Sequence, residues 1–335
     1  MRILPRVRLA PALAALLALT AAVSAQPTRP ASTGPASGAF LRRPVRVPQG
    51  AQAHADLEYA RVGDRRLLLD LYVPPRKGAD KLPVIVWVHG GGWRGGDKSN
   101  VRAIPLTEAG YAVASVGYRL SQEAIFPAQI HDCKAAVRWL RANADQYGLD
   151  AAKIGAWGSS AGGHLVALLG ASSDVKELDG TLGQHLDQSS RVQAVCDFFG
   201  PADFLAIVEA AGGAETRAAE SPVTLLLGGP VAQRKDLARQ AGPVTHVSKD
   251  DPPFLILHGD RDRLVPLDQS RRLHDALRKA GVESTLYVVQ GAGHGEFRDP
   301  NVMPMVREFF DRHLKGAPGA DSRPAPAGTQ PGRPQ

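Results

Sequence analysis

Residues 153–164 read KIGAWGSSAGGH, a short apolar run followed by glycines and two adjacent serines. The apolar run predicts a buried strand, and the AGGHLVALLG that begins at Ala161 predicts a helix. The turn between them has the pattern G-x-S-x-G, whose glycines allow a turn so tight that the central side chain is exposed in a strained conformation. Ser160 is that central residue, and Ser159 precedes it. The alternative is an ordinary Gly/Ser-rich loop, because the pentapeptide alone is a weak signal.

A second glycine-rich segment, VIVWVHGGGWRGGDKS at 84–99, directly follows another apolar run. A serine nucleophile needs hydrogen-bond donors for the oxyanion it creates, and glycines let backbone N–H groups approach a ligand closely. Gly91 and Gly92 are therefore predicted donors, with the N–H of Ala161 as the third. A phosphate-binding loop is the competing interpretation, but the segment does not fit G-x-x-x-x-G-K-[ST]. His89 is expected to brace the loop rather than act as a base.

The acid and base of such a site are expected further along the chain, in the order Ser, Asp, His. The stretch FLILHGDRDRLVP ends an apolar run with Asp260 and Asp262, and YVVQGAGHGEF ends the next with His294 among glycines. The carboxyl ends of parallel strands meet at one edge of a sheet, so these side chains can converge on Ser160. Both aspartates are candidates for the acid. Asp260 directly follows HG and is expected to bond backbone N–H groups of its own turn, whereas Asp262 lies just before the apolar LVP, which could anchor it against the sheet.

The other histidines and the cysteines carry no comparable signal. His164, one helical turn after Ser160, is expected to be packed. Three further histidines have no neighbour that suggests catalysis: His131, His258 and His274. Since the chain shows neither H-E-x-x-H nor clustered Cys/His spacing, we predict no metal and no cofactor.

Eight short β-like runs alternate with helical stretches, which predicts an α/β fold. The runs are LEYARV, RRLLLDLYV, PVIVWV, YAVASVGY, KIGAWG, VQAVCDFF, FLILHG and STLYVVQ. The first two are expected to form a hairpin around Gly63 and Asp64, and the others a mostly parallel sheet with helices on both faces. Residues 200–250, between the sixth and seventh runs, form the one long insertion, which is either a lid, a pocket wall or packing helices.

Both ends of the chain differ in composition from its middle. Three arginines, an Ala/Leu-rich run and small residues up to Ala25 predict a secretory signal over 1–25, with an uncleaved membrane anchor as the alternative. The Pro/Gly/Ala/Ser-rich segments 26–50 and 316–335 are predicted to be disordered. The catalytic domain is therefore predicted at 51–315, and the protein is expected to be secreted or periplasmic.

The distribution of charge bears on the binding partners to be expected, and the two cysteines bear on whether a disulfide forms. Of the formal net charge of +7, seven positive charges lie in residues 1–50 and one net positive charge lies beyond residue 315, which leaves −1 for the middle. A nucleic-acid partner is therefore not expected, and neither is stable membrane insertion. Cys133 and Cys196 could pair in an oxidising compartment, but Cys196 lies within an apolar run, and we expect free, buried thiols.

Five motifs in this order resemble the bacterial feruloyl-esterase-like (BD-FAE) carboxylesterase group of the α/β-hydrolase superfamily, a relative of hormone-sensitive-lipase type esterases. They are HGGGW, GYRLSQEAIFPAQIHD, GLDAAKIGAWGSSAGGH, HGDRDRLVP and GAGHG, and the resemblance covers about residues 55–315. It implies Ser160 as nucleophile, Asp262 as acid and His294 as base, with Gly91, Gly92 and Ala161 as oxyanion donors. The HGDRD context departs from the hormone-sensitive-lipase pattern, which leaves the substrate class open.

The resemblance and the motifs together predict a secreted serine carboxylic-ester hydrolase that works through an acyl-enzyme. Acetyl or feruloyl esters of polysaccharide, or similar small esters, are the substrates that the resemblance implies. An amide-cleaving enzyme such as a peptidase or an aryl formamidase is the first alternative, since one triad can serve both bonds. A non-catalytic binding module is the second, and the presence of all three triad residues argues against it.

Overall fold

The structure is a computed structural model that describes residues 45, 47–76, 78–210, 221–295 and 297–316. The predicted signal segment 1–25, most of the Pro/Gly/Ala/Ser-rich segment 26–50 and the tail beyond Gly316 lie outside these residues. Among the residues described, no helix has the length and apolar character that crossing a bilayer requires.

Eight strands in the described part of the chain form one sheet. They are β1 (Gln52–Val62), β2 (Arg65–Val73), β3 (Leu82–Val88), β4 (Ala112–Val116), β5 (Leu149–Ser159), β6 (Ala194–Phe198), β7 (Phe254–Gly259) and β8 (Ser284–Val289). Their spatial order is β1-β2-β4-β3-β5-β6-β7-β8. The β1–β2 and β2–β4 pairs are antiparallel, and all pairs from β4 to β8 are parallel. The predicted fold class is confirmed.

The first strand begins five residues before the predicted LEYARV run. The sequence QAHAD has little strand character, but it continues the pairing with β2 across a register shift between His54 and Leu57. Asp56 lies in that irregularity at a φ of 56°, and its N–H donates to the Asp70 carboxylate at 2.8 Å. Tertiary pairing therefore extends the strand where local propensity does not.

Nine α-helical segments in the described residues connect or follow these strands. They are α1 (Ala128–Ala142), α2 (Ala144–Tyr147), α3 (Ala161–Ala171), α4 (Lys176–Asp179), α5 (Phe204–Ala210), α6 (Pro222–Leu227), α7 (Lys235–Ala241), α8 (Asp268–Lys279) and α9 (Val302–Lys315). The helical stretch that begins at Ala128 ends before Gly148, which is left-handed at a φ of 68°. It is divided into α1 and α2 at Asn143, which leaves helical geometry.

The alternating side chains of β3 show how the sheet separates two apolar layers. Val84 and Val86 point into the core that contains α1, α3 and α8, whereas Ile85 and Trp87 point into the core that contains α9. Because both faces of the central strands are covered, these strands read as continuous apolar runs. Cys133 in α1 and Cys196 in β6 lie in different layers, both buried and both free, as predicted.

The predicted insertion between β6 and β7 contains α5, α6 and α7, while residues 211–220 fall outside the described part. Ile207 of α5 and Pro222 and Val223 of α6 line the cavity in front of Ser160. The insertion therefore supplies one wall of that cavity.

Candidate active site

Ser160 lies at the sharp turn between β5 and α3. Its φ of 56° and ψ of −121° are strained for a residue with a side chain. The turn holds this geometry because its neighbours have no side chain: a Cβ on Gly162 would collide with the Val88 carbonyl, and one on Gly158 with the Gly162 carbonyl. The Ser160 N–H donates to the Phe198 carbonyl at 2.8 Å, which fixes the turn to β6.

The structure brings the three predicted side chains into one hydrogen-bonded series. His294 Nε2 lies 2.9 Å from Ser160 Oγ, and His294 Nδ1 lies 2.6 Å from Asp262 Oδ2. The Asp262 side chain is fully buried, whereas the His294 side chain is 16% exposed. An ionised carboxylate can only accept, so Nδ1 carries the proton and Nε2 is left to accept from the serine hydroxyl.

Asp262 is held as a carboxylate by the donors around it. Burial raises its pKa, but hydrogen bonding from His258, His294 and the Val265 N–H outweighs burial and holds the pKa far below the usual range. Its Oδ1 accepts from the N–H groups of Leu264 at 2.8 Å and Val265 at 2.9 Å. Asp262 thus remains charged at any pH at which a serine–histidine pair can work.

Asp260, the other candidate acid, points away from His294. Its Oδ1 accepts from the N–H of Gly291 at 2.6 Å and thereby joins the turns that follow β7 and β8. We expected Asp260 to bond backbone groups of its own turn. That expectation was wrong in detail, because the local backbone donors of Leu264 and Val265 are taken by Asp262.

The glycine loop after β3 packs closely on the serine turn. A Cβ on Gly90 would lie 2.7 Å from the Ser159 carbonyl oxygen, and Gly91 and Gly92 have φ values of 117° and 60°. Both line the cavity together with Ser160, His294 and Ala161. Ala161 is the first residue of α3, so its N–H has no acceptor within the helix. The three residues predicted as donors therefore line the same cavity as Ser160.

His89 holds this loop in place through contacts with Gly90 and Tyr118. Its ring is buried and stacked on Tyr118 with centroids 4.4 Å apart, and its Nδ1 lies 2.8 Å from the Gly90 carbonyl oxygen. The Tyr118 hydroxyl donates to the His89 carbonyl at 3.0 Å. Burial lowers the pKa of His89. These contacts agree with the predicted bracing role.

His164 does more than fill space. Trp93 Nε1 donates to its Nδ1 at 3.2 Å, and its Nε2 lies 2.7 Å from the Ala241 carbonyl oxygen. Burial lowers its pKa to about 4, so the ring is neutral, with the proton on Nε2. His164 therefore joins the helix behind the serine to the glycine loop, through Trp93, and to the insertion, through Ala241.

Two residues of the site were missed in the sequence. Phe199 packs edge-on against His294 with centroids 4.6 Å apart, at a φ of 45° that no sequence pattern indicates. His258 was expected to have no partner that suggests catalysis, and that expectation was wrong: its Nε2 lies 3.3 Å from Asp262 Oδ2. The signal was its position at the end of β7, on the same strand end as Asp262.

The cavity in front of the serine measures about 570 Å³. Its apolar wall is formed by Trp93, Phe199, Ile207, Pro222, Val223, Leu264 and Val265. Arg94 and Arg102 also contribute to its lining. An organic group of moderate size fits next to the serine hydroxyl.

Several known proteins resemble this chain. A solved structure titled "Truncated form of carbohydrate esterase from gut microbiota" superposes with a TM-score of 0.70 at 34% identity, covering 79% of this chain and 96% of that one. Esterase 2 of Thermogutta terrifontis, solved after phosphorylation by paraoxon, has a TM-score of 0.61 at 27% identity and covers 80% of this chain and 94% of that one. Esterase LipC of Mycobacterium tuberculosis is 30% identical over 236 residues, which are 69% of this chain and 57% of LipC. The chain thus spans little more than half the length of that relative.

The sheet order, the serine turn and these neighbours define an α/β-hydrolase. The model of the BD-FAE family matches residues 69–277, most of the described sheet. The chain belongs to the BD-FAE family.

Proposed function

We propose that the chain is a serine carboxylic-ester hydrolase with Ser160 as nucleophile, His294 as general base and Asp262 as the acid that orients the base. The observation that carries the proposal is the hydrogen-bonded series from Ser160 Oγ to His294 at 2.9 Å and on to Asp262 at 2.6 Å. Family membership and relatives named as esterases support it.

In this mechanism Ser160 Oγ attacks the ester carbonyl carbon while His294 Nε2 takes the hydroxyl proton. The negative charge on the carbonyl oxygen is stabilised by the N–H groups of Gly91, Gly92 and Ala161. The imidazolium then protonates the departing alcohol, which leaves an acyl-serine. Water, activated by the same imidazole, attacks the acyl-serine and releases the carboxylic acid. Asp262 stabilises the imidazolium at both stages.

The substrates we propose are acetyl or feruloyl esters of carbohydrate. The carbohydrate-esterase neighbour, which this chain covers almost entirely, supports this class over long-chain lipids. The cavity of about 570 Å³ is large enough for an aromatic acyl group. Hydrolysis of nitrophenyl esters of increasing chain length, acetylated xylan and methyl ferulate would define the acyl group, and nitroanilides would reveal any amide cleavage.

The nucleophile is tested by labelling with a fluorophosphonate, a reagent related to the organophosphate that modifies the Thermogutta terrifontis esterase. We expect Ser160→Ala to abolish labelling and ester hydrolysis. Ser159→Ala is the matched control, since Ser159 lies in β5 and should leave the labelling site intact. A label found on Ser159 by mass spectrometry would overturn the assignment.

We also propose that the chain is exported, on the basis of the arginines, apolar run and small residues within 1–25. N-terminal sequencing of the protein made in its own host is expected to begin at Gln26. An intact Met1 on a membrane-bound protein would show that the segment is an anchor.

A further inference from the structure

His258 is a fully buried histidine at the end of β7, and it contacts the proposed acid. Its Nε2 lies 2.8 Å from the Val265 carbonyl oxygen and 3.3 Å from Asp262 Oδ2. On the opposite side of the ring, Nδ1 lies 2.6 Å from Ser270 Oγ in α8. Every nitrogen of this imidazole therefore has a polar neighbour.

These neighbours fix where the ring carries its proton. A carbonyl oxygen and an ionised carboxylate can only accept, so Nε2 must be the protonated nitrogen. The Ser270 hydroxyl can then donate to Nδ1, which holds the ring plane. Asp197, near the end of β6, is a further acidic group that lies close enough to His258 for an electrostatic interaction.

The contacts of His258 close a small network around the acid. His258 Nε2 donates to the carbonyl of Val265, and the N–H of Val265 donates to Asp262 Oδ1 at 2.9 Å. The His258 ring thus fixes Val265, whose N–H holds Asp262 Oδ1. The same ring also lies close to Asp262 Oδ2. The carboxylate has little freedom to rotate away from His294.

We propose that His258 is a positioning residue that, with Ser270, holds the Asp262 carboxylate in the orientation that His294 requires. The inference rests on the proposed role of Asp262 as the acid of the triad. It assigns to His258 no contact with substrate and no proton transfer.

The first test compares two substitutions of the ring. His258→Leu removes the donor, and we expect kcat to fall about 10- to 100-fold with KM nearly unchanged, because a small misplacement of a catalytic group costs about that much. In His258→Gln the amide reaches the place of Nε2 and keeps an N–H donor. We expect it to recover most of the lost kcat.

A matched control is His274, which lies in α8 one helical turn after Ser270. His274 in α8 bonds Ser284 in β8 with Nδ1 2.9 Å from Oγ, so it forms the same kind of histidine–serine link without touching the triad. His274→Leu should lower the melting temperature and leave kcat close to that of the wild type. If His258→Leu and His274→Leu change kcat equally, His258 is merely structural and the proposal is wrong.

A spectroscopic measurement follows the acid directly. The proton between His294 Nδ1 and Asp262 is expected to give a far-downfield ¹H NMR signal in the wild type. That signal should shift or broaden in His258→Leu and stay unchanged in His274→Leu; an unchanged signal in folded His258→Leu would overturn the proposal. If His258→Leu does not fold, Ser270→Ala decides: a several-fold loss of kcat with a shifted signal supports the proposal, and wild-type behaviour refutes it.

The two proposals can fail separately. A wild-type protein that hydrolyses no ester and takes up no fluorophosphonate would refute the proposed function, whereas the NMR comparison would still report whether His258 orients Asp262. A fully active wild type whose His258 variants behave like His274→Leu would refute only the role of His258.

Discussion

Two aspartates two residues apart have different surroundings, and these surroundings separate their roles. The Asp262 carboxylate is buried and accepts from His294, whereas Asp260 is exposed and bonds a backbone N–H of the turn after β8. An acid that holds the base in its correct tautomer cannot be replaced by an amide, because the amide can present its NH₂ group to Nδ1.

We therefore expect Asp262→Asn to lose about 10⁴-fold in kcat, and Asp260→Asn to lose little activity while its melting temperature falls. Steady-state kinetics of the two purified variants, at the pH where the wild type is most active, makes the comparison. Should Asp260→Asn be the inactive one, the acid is misassigned, although Ser160 and His294 would keep their roles.

At the level of single residues, the sequence predicts the proposed triad better than it predicts the residues that hold the triad in place. Ser160, Asp262 and His294 could be proposed because each follows an apolar run at a strand end, where the fold class requires them to meet. The contacts of His164 and His258 with the carbonyls of Ala241 and Val265 could not be predicted, because backbone carbonyls leave no mark in a sequence. The left-handed φ of Phe199 is likewise imposed by its surroundings.

Among the elements, the glycine loop after β3 is sensitive to substitution. A Cβ on Gly91 would collide with the Gly95 carbonyl, at a φ of 117° that other residues rarely adopt. We expect Gly91→Ala to displace an oxyanion donor and to lower kcat by about 100-fold or more.

The control for this substitution is Gly281→Ala, which has a comparable φ of 84°, an open space for the new methyl group and a position remote from the cavity. It should lower the melting temperature alone. Equal kcat values for folded Gly91→Ala and the wild type would remove Gly91 from the oxyanion site.

Element existence was predictable, and element boundaries were less so. All eight predicted runs are strands, and those of the parallel part could be found because a sheet covered on both faces needs continuous apolar sequence. The early start of β1 was not predicted, since it depends on pairing with β2. The break between α1 and α2 at Asn143 was not predicted either, since it depends on local backbone geometry.

The Asp197 carboxyl group should make the stability of the molecule depend on pH. Asp197 is fully buried; its Oδ1 accepts from the Gly200 N–H at 2.9 Å, and its Oδ2 has no hydrogen-bond partner among the described residues. Burial raises the pKa of Asp197 to about 6, although the Gly200 hydrogen bond and the nearby His258 oppose this.

A raised native pKa means that the folded state binds this proton more tightly than the unfolded chain. The stabilisation is complete below pH ~4 and is lost as the pH rises through about 6. Asp197→Asn mimics the protonated form, so it should be more stable than the wild type above pH ~6 by up to about 3 kcal/mol, and the difference should shrink towards pH ~4. Urea denaturation of both proteins at several pH values measures it; a difference independent of pH would contradict the assignment.

The position of β8 at the end of the sheet has a consequence for heating the protein. His294 follows β8, which pairs only with β7 among the residues that the structure describes, while Ser160 follows β5 near the centre of the sheet. Edge strands fray before central ones, since they are held from one side only. Loss of turnover on warming should therefore precede the cooperative melting of the molecule. The temperature at which activity is lost would then report the local unfolding of β8.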